Sequence, residues 1–175
     1  MNRGGIVLNN SFVCQIKVLK IDELERALAL VYDVFMEFEA PDYSEQGIKA
    51  FEDFIELNSI KNMIEDNILN FWVCYDREEI VGVISTKEVS HICMLFVDKN
   101  YHRKGIARNL FKTILSNIEN NHKIKEITVN SSPYAVEFYH KLGFQDTSSE
   151  QTVDGIRFTP MKLQIREWGK CNFLY

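Results

Sequence analysis

One stretch constrains this chain more than any other: Leu95-Phe-Val-Asp-Lys-Asn-Tyr-His-Arg-Lys-Gly-Ile-Ala-Arg-Asn-Leu110. An apolar strand runs into a short basic loop with one glycine, and an amphipathic helix follows. A helix start carries backbone N–H groups without intrahelical partners, and its dipole favours negative charge there. Such a junction is an anion site. Gly105 permits close backbone approach, and Ala107 is too small to obstruct a ligand lying across the first turn. Arg103, Lys104 and Arg108 add positive charge beside those amides. The loop is neither a P-loop nor a dinucleotide fingerprint, because no G-x-x-x-x-G-K-[ST] occurs and no G-x-G-x-x-G opens the helix. On these features alone, a solvated basic helix start would read the same way.

The flanking pattern predicts one mixed α/β domain. Residues 13–19 read as a strand. Asp22 and Glu25 have capping-box spacing, and Leu24, Leu28, Val31, Phe35 and Phe38 recur at steps of three and four, a helix face. Ala40-Pro41 ends that helix. Ser44 caps a second one, with Phe51, Phe54 and Ile55 on its buried side. Segments 71–75 and 80–84 flank a turn and form a hairpin. Residues 90–97 are apolar on both faces, which marks a central strand. Ile106, Leu110, Ile114 and Ile118 make a helical stripe, and 125–129 reads as a strand. Ser132-Pro133 offers an N-cap with proline at the first helical position, and Gly143 suits a left-handed C-terminal cap. Asp154-Gly155 turns between two extended segments, the second being 156–165.

At 175 residues the chain suffices for one domain with a real core. Residues 1–12 read as a leader, 13–165 as the domain and 166–175 as a tail. The formal charge of −5 argues against general nucleic-acid binding. Cys14, Cys74, Cys93 and Cys171 are scattered without metal or redox spacing, so they read as buried or incidental thiols. No apolar run fits a signal peptide or a membrane span, which makes a cytoplasmic protein the expectation.

A second element gives the loop its specificity: Val129-Asn-Ser-Ser-Pro-Tyr-Ala-Val-Glu-Phe-Tyr-His-Lys-Leu-Gly-Phe144. With both in view, the chain resembles the GNAT superfamily of acetyl-CoA-dependent N-acetyltransferases. That family's phosphate loop, Q/R-x-x-G-x-G/A after an L-x-V strand, is matched by 102–107 with histidine in first place. Its A-x-x-F/L-Y-x-x-x-G-F motif is met by Ala135, Phe138, Tyr139, Gly143 and Phe144. The tail 155–163 is similar to the family's closing strand. The resemblance covers about 13–165. It implies a single α/β domain: a central mixed, mostly antiparallel twisted sheet flanked by helices, with a splayed parallel strand pair at the cofactor site.

What the resemblance implies chemically is acetyl transfer from acetyl-CoA to a primary amine, by direct attack in a ternary complex and without a metal. The strand 95–97 (Leu95, Phe96, Val97) would pair through its backbone with the pantetheine amides. Arg103, Lys104, Gly105, Ile106, Ala107 and Arg108 would hold the pyrophosphate, and a backbone N–H near Leu95 would face the oxyanion. Tyr139 would protonate the departing thiolate. Ser132 stands where many members place an Asn facing the cofactor, and Asn130 is the alternative for that contact. His91, counted onto the strand face of Cys93, Leu95 and Val97, is a candidate base, since imidazole titrates near neutral pH. Phe35, Glu37 and Glu39 are candidates for the acceptor wall. His102, His122 and His140 read as surface residues. The acceptor is expected to be a small-molecule or peptide amine, with neither nucleic acid nor membrane as partner. The aromatics of the tail could pack on a second subunit, giving a homodimer, or on their own domain. Competing readings are an acyl-CoA-binding sensor and an interaction domain of the same fold.

Overall fold

The apolar repeat that starts at Leu24 folds as α1 (Leu24–Phe38), which buries Leu24, Ala27, Leu28, Val31 and Phe35. The computed structural model describes residues 14–119 and 123–165; Val13, His122 and the tail 166–175 fall outside them. The capping box of Asp22 and Glu25 does not form. Ile21–Glu23 make a short 3-10 turn, which leaves Glu23 at the N-cap without a side-chain capping hydrogen bond. A second such turn, Ala40–Asp42, carries Pro41 at its start. Ser44 does cap α2 (Glu45–Phe54), its Oγ accepting from the Gly47 N–H at 3.2 Å. A further helix, α3 (Leu57–Glu65), goes beyond the sequence pattern. It buries only Ile60, and the Glu56 carboxylate caps it by accepting from the N–H groups of Asn58 and Ser59.

The strands are β1 (Cys14–Val18), β2 (Leu69–Asp76), β3 (Glu79–Lys87), β4 (His91–Val97), β5 (Glu126–Ser131), β6 (Gln145–Asp146), β7 (Gln151–Val153) and β8 (Ile156–Gln164). They align as β1-β2-β3-β4-β5-β8-β6, with β7 also on β8. Every pairing is antiparallel except β4 with β5. One face of the sheet is covered by α4 (Ile106–Glu119) and α5 (Val136–Lys141), the other by α1, α2 and α3. The stripe Ile106, Leu110, Ile114 and Ile118 is almost wholly buried, each side chain contributing about 2 kcal/mol through lost apolar surface. No helix among the described residues is long and apolar enough to cross a membrane.

Two local features matter for the site. Within β4, Ile92 pairs with Thr86 and Met94 with Ser85, so Cys93 is an extra residue: a β-bulge. Ile92 therefore faces α4, whereas Met94 and Phe96 face the α1 side. The alternation counted through 91–97 breaks there, and His91 lies on the face opposite Leu95 and Val97. In addition, β4 and β5 pair only at His91 with Thr128 and Ile92 with Val129, and then diverge.

The scattered cysteines are also corrected. Cys14 and Cys74 form a disulfide, their Cα atoms 5.9 Å apart, and Cys93 is free. They are 60 residues apart in sequence, and only the antiparallel register, with Ile16 opposite Cys74 and Cys14 opposite Asp76, makes them diagonal neighbours. The turn between β7 and β8 reaches across to α2. A Cβ on Gly47 would collide with the Gly155 carbonyl, and one on Gly155 with the Gly47 backbone. Gly155 also has φ +80°, which favours glycine.

Candidate active site

Where β4 and β5 part, a cleft of about 660 Å³ opens. The end of α1, the loop before α4, and the turn leading into α5 enclose it. Asp98 stabilises the first part of that loop, its Oδ1 accepting from the Asn100 N–H at 2.7 Å. Arg103 and Gly105 both have left-handed backbone, φ +60° and +78°. Alternating hands of this kind curl successive N–H groups toward one anion. A Cβ at 105 would meet no protein atom within 4 Å, so the glycine is required by conformation and leaves its open side to a ligand. His102, expected at the surface, is instead half-buried at the cleft. Its Nε2 lies 2.8 Å from the Val97 carbonyl. A carbonyl can only accept, so Nε2 carries the proton, and the ring pins the loop to the end of β4.

The cleft brings together Leu95, Phe96 and Val97 from the strand, and Arg103, Gly105, Ile106, Ala107 and Arg108 from the loop and helix start. Tyr139 and Glu39 line it as well. Lys104 does not; its Nζ sits 4.4 Å from the centre of the Tyr101 ring. Asn130 is exposed and pairs with Pro160 of β8. Ser132 is buried, and its Oγ makes no hydrogen bond of ordinary geometry. It does not cap α5: the helix starts later, with Ala135 at its N-cap, and the Ser132 carbonyl accepts from the Ala135 N–H. Phe35 is fully buried, stacked on Phe51 with centroids 3.7 Å apart. Glu37 is exposed and paired with Lys99 at 3.1 Å. His91 is outside the cleft lining and shares a 2.8 Å hydrogen bond with Thr128. Burial holds its imidazole below the usual value.

Sequence reasoning missed Phe38, Tyr134 and Lys141 as lining residues. Phe38 reads as core because it continues the α1 stripe, yet its ring bridges Tyr134 and His102, 5.1 Å from each. Lys141 reads as an ordinary last-turn cation.

Electrostatics single out one carboxyl. Glu39 is held at the end of α1, its N–H bonded to the Phe35 carbonyl. It is half-buried by exposed surface, but the packing around its carboxyl is dense enough for desolvation to raise its pKa from 4.5 to about 7. The nearby Ser132 hydroxyl offsets that rise in part. The negative end of the α1 dipole acts in the same sense as burial. Burial, and then the charge of Glu39, push the Tyr139 phenol far above its ordinary range. The ring is 4 % exposed and packs edge-on against Phe138 and Phe144. A phenol in that setting keeps its proton and acts as a donor.

Fold and cleft together define an α/β domain that can grip an extended anionic ligand between two diverging strands. The chain belongs to the acetyltransferase (GNAT) family, whose domain matches residues 39–165. It is 32 % identical over 126 residues to the uncharacterized N-acetyltransferase YafP of Escherichia coli (strain K12), covering 71 % of this chain and 77 % of that one. Among solved structures, a GCN5-related N-acetyltransferase of Rhodopseudomonas palustris superposes with a TM-score of 0.72 at 19 % identity, over 86 % of this chain and 94 % of the other. The PaiA N-acetyltransferase of Thermoplasma acidophilum, solved with coenzyme A, gives 0.70 at 20 % identity, over 87 % and 99 %. At such identities the likeness is one of fold, and it includes the mostly antiparallel sheet with one parallel pair.

Proposed function

We propose that this chain transfers an acetyl group from acetyl-CoA to a primary amine, by direct attack in a ternary complex. The observation that carries the reading is the gap between β4 and β5. Pairing stops at Ile92 and Val129, and the loop, the α4 start and Tyr139 all open onto the same cleft. The residues present suit the ligand. A wall of strand backbone fits an amide-bearing arm, while the left-handed loop with Arg103, Arg108 and Lys141 fits a diphosphate. That a relative in fold binds coenzyme A supports the choice. Acetyl-CoA supplies an acyl carbon already activated as a thioester.

The chain's own groups supply the rest. The β4 backbone at Leu95–Val97 aligns the arm, and a Leu95 N–H beside the thioester oxygen stabilises developing charge, an effect worth about 3 kcal/mol. Glu39 takes up the proton of the attacking nitrogen, and a carboxyl that titrates near 7 is suited to that work. Tyr139 holds a proton for the leaving sulfur. Val34, Phe38 and Tyr134 form an apolar wall that excludes water. Thiol release with acetyl-CoA across a panel of amines tests the reaction. Tyr139→Phe should lower kcat about 100-fold while leaving the acetyl-CoA Kd within a factor of about two; near-normal turnover would reject its role.

A further inference from the structure

We propose that the acceptor is an amine with a single cationic nitrogen on an apolar body, seated with that nitrogen on Glu39, and not a polyamine or other dibasic compound. The inference rests on the acetyltransferase reading and narrows it. Glu39 is the one carboxylate among the described residues that line the cleft. The other charged side chains there, Arg103, Arg108 and Lys141, are cationic and fall to the diphosphate, so the lining has no second carboxylate to meet a second ammonium.

The neighbouring acids are engaged elsewhere. Glu37 pairs with Lys99 at 3.1 Å, Asp42 lies 3.9 Å from Arg157, and Glu150 is 2.8 Å from the same guanidinium. Glu37 is matched by Lys99, Asp42 and Glu150 share the one Arg157 guanidinium, and none of the three acids lines the cleft. What the wall offers beyond Glu39 is Val34, Phe38 and Tyr134, the last half-exposed. Those surfaces gain from covering an alkyl or aryl group.

Two further observations locate the nitrogen. The Ser132 hydroxyl is buried beside the Glu39 carboxyl, its proton directed at that carboxyl and its lone pairs without a donor. An ammonium has three donors, so a carboxylate and a hydroxyl oxygen satisfy most of one such group and leave nothing for another. Glu39 also shares the cleft lining with Tyr134 and Tyr139, phenols from the turn before α5 and from α5, and after burial its charge raises the pKa of both.

The test uses the full chain with acetyl-CoA and four amines: heptylamine, 2-phenylethylamine, 1,7-diaminoheptane and spermidine. Thiol release gives kcat/KM, and calorimetric titration of each amine into the protein–CoA complex gives binding without turnover. The two monoamines should exceed the diamine and spermidine by about tenfold or more in both readouts, the consequence of a second charge desolvated against an apolar wall without a carboxylate partner. Glu39→Gln should lower monoamine kcat/KM about 100-fold, as expected when one partner of a desolvated charge pair is removed, with acetyl-CoA affinity unchanged. Equal or better use of the diamine or spermidine overturns the proposal and leaves the transferase reading standing. So does a Glu39→Gln variant that handles monoamines normally. Monoamine binding that depends on Glu39 without any thiol release overturns the transferase reading instead and supports the ligand class.

Discussion

Glu39 should cost the protein stability, and the cost should depend on pH in a way that can be calculated. Its carboxyl titrates at 4.5 when unperturbed and at about 7 in the fold, chiefly through desolvation. A folded-state pKa above the unfolded one favours the protonated form. The contribution is complete below pH 4.5, is lost as pH rises, and is gone above about 7, where the ionised carboxylate stays desolvated. The full difference is at most about 3 kcal/mol. Because the side chain is half-open to cleft water, screening reduces the effect to about 1–2 kcal/mol. For a chain of this size each kcal/mol moves Tm by about 2–4 °C. Glu39→Gln keeps the shape and removes the charge, so it should melt about 2–8 °C above the natural protein at pH 8 and level with it near pH 4.5. Thermal melts followed by circular dichroism from pH 4.5 to 8.5 give the difference curve, in which groups common to both proteins cancel. A difference that stays flat with pH would refute the reasoning, because it would mean that Glu39 titrates normally. The same variant should be a poor catalyst, so stability and activity would move in opposite directions.

The other predictions are narrower. Gly47→Ala should lower stability by about 1–3 kcal/mol, because the added methyl meets the Gly155 carbonyl and two backbones must separate; an unchanged melting temperature would contradict the packing. His102→Ala should weaken acetyl-CoA binding by releasing the loop from the Val97 carbonyl, whereas His102→Gln, whose amide can still donate, should restore much of the affinity in a titration. His91→Ala should leave the pH profile of kcat/KM unaltered, since the ring is held by Thr128 outside the cleft; loss of one limb of that profile would reinstate it as a base.

Much of the architecture was legible because periodicity reports burial. The α4 stripe and the doubly apolar β4 both follow from which faces meet the core. α3 escaped because only Ile60 is buried in it and its cap is a glutamate two and three residues from the donors it serves. The loop before α4 was legible as local chemistry: contiguous residues, fixed spacing and one glycine. The opposite wall of the cleft was not, because its members come from α1, the turn before α5 and α5 itself. Glu39 could be named as a candidate, but nothing in its neighbours by sequence foretells desolvation. Phe35 and Phe38 stand three residues apart on one stripe, yet one is stacked in the core and the other lines the cleft. His91 failed for a different reason. Counting by twos is valid only in a regular strand, and the extra residue at Cys93 changes the parity.

The contact between Gly47 and Gly155 bears on how this domain can diversify. Most joints between elements are made of side chains, and when those side chains change, the elements shift. Here main chain rests on main chain, so neither position can be altered without separating the segments. The start of α2 and the β7–β8 turn are thereby locked at a separation that does not depend on the residues around them. Val34, Phe38 and Tyr134 lie outside that joint. Under the acceptor reading proposed above, they can be exchanged to suit a new amine while the distance between hairpin and helix stays as it is, so specificity can drift across a frame that does not.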